Sequence, residues 1–195
     1  MPRLIFVNKM DRAGADAWEC ITGARERLGL SCAAMQVNIG VENGLQGLVD
    51  LVSWEACFFD GDSGETVRRE PIPADMLDFC IEKKLELIGT LADYDEVMEE
   101  HYLEENYEID PVLLQECIRK HTINLNFCPV FMGSAFKNKG VQLLLDGVIS
   151  YLPNPTEVTN IALDTKRDEE KVELAIDNKK PFVGLAFKLE ETQYG

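Results

Sequence analysis

Leu4-Ile5-Phe6-Val7-Asn8-Lys9-Met10-Asp11 sets an apolar run directly against a polar loop, and the reading of that junction decides the fold. Four consecutive apolar residues suit a strand buried on both faces, as in a parallel sheet covered by helices. Open α/β sheets hold their ligands in the loops at the carboxyl ends of the strands, so Asn8, Lys9, Met10 and Asp11 fall where binding chemistry belongs. The residue types suit guanine. An ionised Asp11 carboxylate accepts two hydrogen bonds, matching the ring N–H and exocyclic amine of guanine, whereas adenine offers no such donor pair. Asn8 would brace the loop, the aliphatic stem of Lys9 would lie along the base, and Met10 is a spacer. Four residues alone are weakly specific. They also fit an Asn/Asp turn capping a helix that begins near Asp16.

A second stretch repeats the strand-then-loop grammar: Pro129-Val130-Phe131-Met132-Gly133, then Ser134-Ala135, then Phe136-Lys137-Asn138-Lys139-Gly140. A backbone N–H at Ala135 could donate to the guanine carbonyl oxygen, an acceptor that the Asp11 carboxylate cannot serve. Ser134 would hold the turn. Val141, Leu144, Leu145, Val148, Ile149 and Leu152 then recur at helical spacing, and Pro153 closes the helix. Ser-Ala alone says little, but with the first loop it completes a pocket for one purine.

The order of these pieces resembles elongation factor G, most closely its mitochondrial type. The likeness is carried by residues 2–15 through Asp16, by Gly47-Leu48-Val49-Asp50-Leu51, by residues 133–142 and by Tyr151-Leu152-Pro153-Asn154-Pro155. Residues 181–190 are similar to the opening of that family's second domain. The resemblance implies an incomplete P-loop GTPase-type parallel sheet of α/β class, an inserted α+β subdomain, and the first strand of a following β-barrel. It implies GTP and GDP as ligands, with guanine read by Asn8, Lys9, Met10, Asp11, Ser134 and Ala135. Its further implications are ribosomal translocation of tRNA and mRNA, a mitochondrial matrix location, and contact of the inserted subdomain with the ribosomal stalk protein.

The family's phosphate loop, magnesium-binding switch Thr and Asp-x-x-Gly switch have no counterpart here. No Gly-x-x-x-x-Gly-Lys-Ser/Thr sequence occurs, and the early Asp-x-x-Gly, Asp11 to Gly14, reuses the guanine-reading Asp. Magnesium ligands and catalytic residues are therefore not expected in this chain, which reads as a fragment or a truncated gene product. Phosphate contacts supply most nucleotide affinity and all γ-phosphate chemistry. Weak guanine binding without hydrolysis is the expectation. An alternative is a non-enzymatic stalk-binding module, and another is a recycling or release-type translational GTPase.

Composition narrows the partners. Thirty-five acidic against nineteen basic residues give a net charge of −16, which argues against gripping a nucleic-acid backbone by counterion release. No apolar run approaches the roughly 18 residues of a membrane span, and neither a signal pattern nor an import leader is visible, so no membrane contact is expected; a monomer is expected as well. Acidic residues crowd 93–108 and 168–177, as a solvated helix face and a linker would. Six scattered cysteines without a Cys-x-x-Cys pair read as core thiols in a reducing compartment. His101 and His121 show no partners at metal-ligand spacing, and the calcium-like Asp60-Gly61-Asp62-Ser63-Gly64 lacks the closing Glu, so a hairpin is expected there.

Along the chain, residues 1–30 form the guanine-motif strand and a helix with Trp18, Ile21 and Leu28 on one face, stopped by Gly29. Residues 31–124 form the inserted subdomain. Short strands at 33–39, 48–51, 55–59 and 65–68 lead to a helix after Pro73 carrying Leu77, Ile81, Leu85, Ile88 and Leu91, then to helices after Asp93 and at Asp110-Pro111. Residues 125–155 resume the first domain. Residues 156–180 read as a linker, and 181–195 as the start of the barrel.

Overall fold

A computed structural model describes residues 1–61, 63–174, 176–177 and 179–189. The chain divides into two compact units, residues 1–152 and residues 153–195.

In the first unit a parallel sheet has the strand order β1 (Ile5–Val7), β7 (Cys128–Met132), β2 (Cys32–Ala34). Val7 lies beside Met132 and Ala34 beside Val130. Alternate residues of a strand face opposite sides, so Cys128, Val130 and Met132 join one core with Val7, Met10 and Ile21, while Phe131 joins Leu87, Leu91 and Ile118 in the other. Helix α1 (Ala17–Leu28) begins at the Asp16 side chain, which accepts from the Trp18 and Glu19 amides, and ends on left-handed Gly29. Its buried stripe is Ala17, Ile21 and Ala24, whereas Leu28 is exposed. Small alanines, not the terminal leucine, set the closest approach to the sheet.

An antiparallel sheet follows, in the order β3 (Gln36–Ile39), β4 (Gly47–Asp50), β5 (Glu55–Asp60), β6 (Thr66–Glu70). Asp62, part of the calcium-like stretch, lies outside the described residues. The single strand expected at 33–39 is two strands in two sheets. Met35 is the switch: its N–H donates to Val130 O at 2.8 Å, and its carbonyl accepts from Leu51 N at 3.0 Å. The inserted segment thus departs from the parallel sheet at Met35, and Cys32–Ala34, expected within the insertion at 31–124, is a strand of the parallel sheet instead.

Three helices complete the insertion: α2 (Leu77–Ala92), α3 (Glu96–Leu103, capped by Asp95) and α4 (Pro111–Ile123, capped by Asp110). The Leu114, Cys117 and Ile118 face of α4 is buried as its spacing requires. In α2 the buried face is Cys80, Lys84, Leu87, Ile88 and Leu91, about one position from the expected stripe, and it carries Lys84 inward.

Helix α5 (Val141–Tyr151) shows the largest difference from the sequence pattern. Leu143, Gly147 and Tyr151 are buried, while Leu145, Val148 and Ile149 are exposed. Gly147 explains the choice of face, because a Cβ there would lie 2.3 Å from the Phe131 ring. The helix packs down on its glycine and leaves its more apolar stripe outside.

In the second unit, the stretch expected to be a linker contains a hairpin, β8 (Asn160–Asp164) with β9 (Glu170–Leu174). Residues 181–189, expected as a barrel strand, form no strand, since a strand needs a ladder partner and the described hairpin strands pair with each other. Residues 190–195 lie outside the described residues.

Candidate functional site

Parallel pairing of β1 with β7 brings the two loops to the same sheet end, and the ladder continues beyond the strands. Gly133 N donates to Val7 O at 3.0 Å, and Met10 N donates to Gly133 O at 3.0 Å. The next link uses a side chain. Asn8 Oδ1 accepts from Lys9 N at 2.7 Å and from Ala135 N at 2.9 Å, tying residues 127 positions apart. Asn8 therefore braces both loops, a wider role than the sequence suggested.

The part expected of Ala135 has a competitor. Its N–H, assigned to the guanine carbonyl, is spent on Asn8; a bound base must share that hydrogen or take it over. Ala135 itself is exposed, so the approach is open.

Asp11 is buried at 6% exposure. A hydrogen bond from the Ser134 side chain holds its carboxyl below the usual aspartate range, with further help from its own backbone amide and from the charges of Lys137 and Arg12, against the opposing effect of burial. The group is thus an anion at neutral pH. Ser134 is fully buried, and its hydroxyl also accepts from Lys137 N at 3.2 Å. Its backbone exchanges hydrogen bonds with Lys139 at 2.9 and 3.0 Å. So Ser134 does hold the turn, and it fixes the acid as well.

Met10 is a core residue at 3% exposure, consistent with a spacer. Lys9 is exposed, with its backbone at φ 65°, and no hydrogen bond or ion pair among the described residues engages its ammonium group. Its stem is free to cover a base. Phe136, beside Ala135, is 89% exposed. In the sequence its signal is a large aromatic directly after the Ser134-Ala135 turn.

The remaining chemical groups belong elsewhere. Contrary to the expectation for His121, Cys117 lies four residues before it on the same helix, and their ligand atoms fall within 4.8 Å of each other and of an Asp95 oxygen. Asp95 Oδ2 is taken by Lys120 Nζ at 2.8 Å and His121 Nε2 at 3.3 Å, while Oδ1 caps Val97 N. Burial pushes the Cys117 thiol up to about 12. The cluster joins α3 to α4 through satisfied contacts. Five cysteines are buried as core thiols, and Cys20 is exposed. The Asp11 carboxylate is engaged by the Ser134 side chain, and the cluster found among the described residues, Asp95 with Cys117 and His121, is not the set of oxygen ligands that magnesium takes.

The Elongation factor Tu GTP binding domain family matches residues 1–154. Elongation factor G-1, mitochondrial, of Arabidopsis thaliana is 51% identical over 195 residues, which is 100% of this chain and 26% of that protein. A crystal structure of a protein from Thermus thermophilus has the same fold, with a TM-score of 0.67 at 23% identity over 84% of this chain and 24% of that one. The chain spans about a quarter of the length of each. Both loops lie inside the matched residues, and the chain belongs to the elongation factor Tu GTP-binding domain family of translational GTPases.

Proposed function

We propose that this chain supplies guanine recognition for a mitochondrial elongation factor of the G type. The observation that carries the reading is the 2.9 Å bond from Ala135 N to Asn8 Oδ1, which closes the two loops around an ionised Asp11. In this reading Asp11 accepts from the ring N–H and exocyclic amine, Ala135 and Asn8 serve the carbonyl edge, and Lys9 and Phe136 cover the ring faces. The parent activity is GTP-dependent translocation on the ribosome. Residues 35–124 form the lobe through which the ribosomal stalk protein is met, and the setting is the mitochondrial matrix; family membership and the 51% relative support these points.

The chain carries no Gly-x-x-x-x-Gly-Lys-Ser/Thr sequence, so tested alone it turns over no GTP. Titration of the labelled chain with GDP and ADP, followed by amide shifts at the two loops, tests the reading. GDP moves the Ala135 and Met10 signals and ADP does not. Asp11→Asn exchanges one acceptor for a donor, which suits the C2 carbonyl of xanthine, and it costs GDP about 100-fold on the scale of one or two charge-assisted hydrogen bonds. Equal responses to GDP and ADP, or an Asp11→Asn chain that still prefers GDP to XDP, refute the assignment.

A further inference from the structure

A short turn of the inserted sheet touches both base loops. Between β3 and β4 the chain reverses through residues 40–46, with a 3-10 turn over Glu42–Gly44. Gln46 N donates to Ile39 O at 2.8 Å, Gly44 N to Val41 O at 2.9 Å and Leu45 N to Glu42 O at 3.1 Å. Gly40, at φ 79°, makes this tightness possible, since a Cβ would lie 2.1 Å from the Gly44 carbonyl oxygen. Leu45, 2% exposed, anchors the turn in the same core as Met10 of the first loop.

From that anchor the turn reaches in two directions. Glu42 Oε1 accepts from Gly14 N at 2.9 Å. Gly14 lies in the second of two consecutive turns, the first of which begins at Lys9 of the guanine motif, with Arg12 N donating to Lys9 O at 3.0 Å and Ala15 N to Arg12 O at 3.2 Å. On the other side, the Leu45 carbonyl accepts from Lys139 Nζ at 2.6 Å. Lys139 is the residue whose backbone pairs with Ser134, and Ser134 holds Asp11. One turn therefore grips the segment after Asp11 with a side chain and the segment after Ala135 with a carbonyl. Glu42 also has its backbone at φ 53°, an uncommon conformation for a residue other than glycine or asparagine and one that persists only where surrounding contacts impose it.

We infer that Glu42 is a positioning residue for guanine binding, and that the 40–46 turn of the inserted sheet sets the spacing of the two base loops. Glu42 touches no nucleotide; it acts through Gly14. The inference rests on the guanine reading of the site and adds to it a second element from outside the nucleotide loops.

The test compares Glu42→Ala with Glu42→Gln, which keeps the accepting oxygen. Affinities for GDP and for IDP, which lacks the exocyclic amine, are measured by loop amide shifts beside thermal unfolding. Glu42→Ala weakens GDP about five-fold, the scale of part of one charge-assisted bond, lowers the GDP-to-IDP preference, and leaves the unfolding midpoint nearly in place. Glu42→Gln restores most of both. A wild type that prefers GDP to ADP while Glu42→Ala binds GDP unchanged overturns the positioning role alone. So does equal loss in the Ala and Gln variants, or a loss matched by unfolding. A wild type indifferent to GDP and ADP overturns the guanine reading and this inference together.

Discussion

Asn8→Ala removes the one oxygen that receives amides from both loops. The structure shows two bonds lost, at 2.7 Å to Lys9 N and 2.9 Å to Ala135 N. Each is worth about 0.5–1.5 kcal/mol net, and both amides sit at an exposed site where water can replace the oxygen, so no buried orphan is left. The expected cost is about 1–2 kcal/mol, a fall in the unfolding midpoint of about 3–6 °C for a unit of this size. Locally the effect is sharper. The Ala135 amide loses its partner, and its hydrogen-exchange protection falls about ten-fold, while amides of α2 and α4, buried in the other core, fall only with global stability. Asn8→Asp keeps an accepting oxygen but sets a second carboxylate near Asp11, so it recovers part of the loss, and more of it at high salt. Denaturant unfolding with residue-resolved exchange makes the measurement. An Asn8→Ala chain with wild-type stability and wild-type protection at Ala135 refutes the bracing role.

Phe136→Ala removes an aromatic face that is 89% exposed; it leaves the unfolding midpoint unchanged and weakens GDP about five- to ten-fold on the scale of base stacking, measured by the same titrations. Equal affinity would remove Phe136 from the site. Lys84 is buried at 3% exposure over the Trp54 ring, and desolvation lowers its ammonium from 10.5 to about 8, although Asp50 and Glu108 pull the other way. The unfolded chain then binds the extra proton between pH 8 and 10.5, so folding stability rises with pH across that window. Lys84→Met should flatten the rise and add up to about 3 kcal/mol at pH 7, as read from urea midpoints across pH; an unchanged slope contradicts the assignment. The depressed Asp11 carboxyl gives the same sign of slope in a lower window, because its contribution is present above the ordinary aspartate value of 3.8 and is lost as pH falls through its lower folded value. GDP affinity is therefore flat with respect to Asp11 from pH 5 to 8, and a titration step in that range would show another group at work.

The sequence made the sheet end legible because its signals there are local. An apolar run stops at Asn8, another stops at Gly133, and capping residues such as Asp16 and Asp110 stand directly before their helices. What it hid depends on contacts remote in the chain. Nothing in the run from Cys32 to Ile39 marks Met35, since both strands it joins are buried and apolar on their core faces. The spacing in α5 pointed to Leu145, Val148 and Ile149, but close approach to Phe131 favoured the face with Gly147. The two loops show the same division. Asn8, Asp11 and Ser134 could be named from their chemistry, whereas the partner of the Ala135 amide and the reach of Glu42 needed the fold.

Met35 gives its two main-chain groups to different sheets, the N–H to the strand that ends at the base loop and the carbonyl to the segment after β4. The lobe is consequently joined to the sheet at a single residue, as well as through the core that α2 and α4 share with Phe131, instead of hanging from a pliable stalk. A partner that tugs on the lobe must strain that joint, and the disturbance reaches the strand beneath Ser134 before any side chain has to change its rotamer.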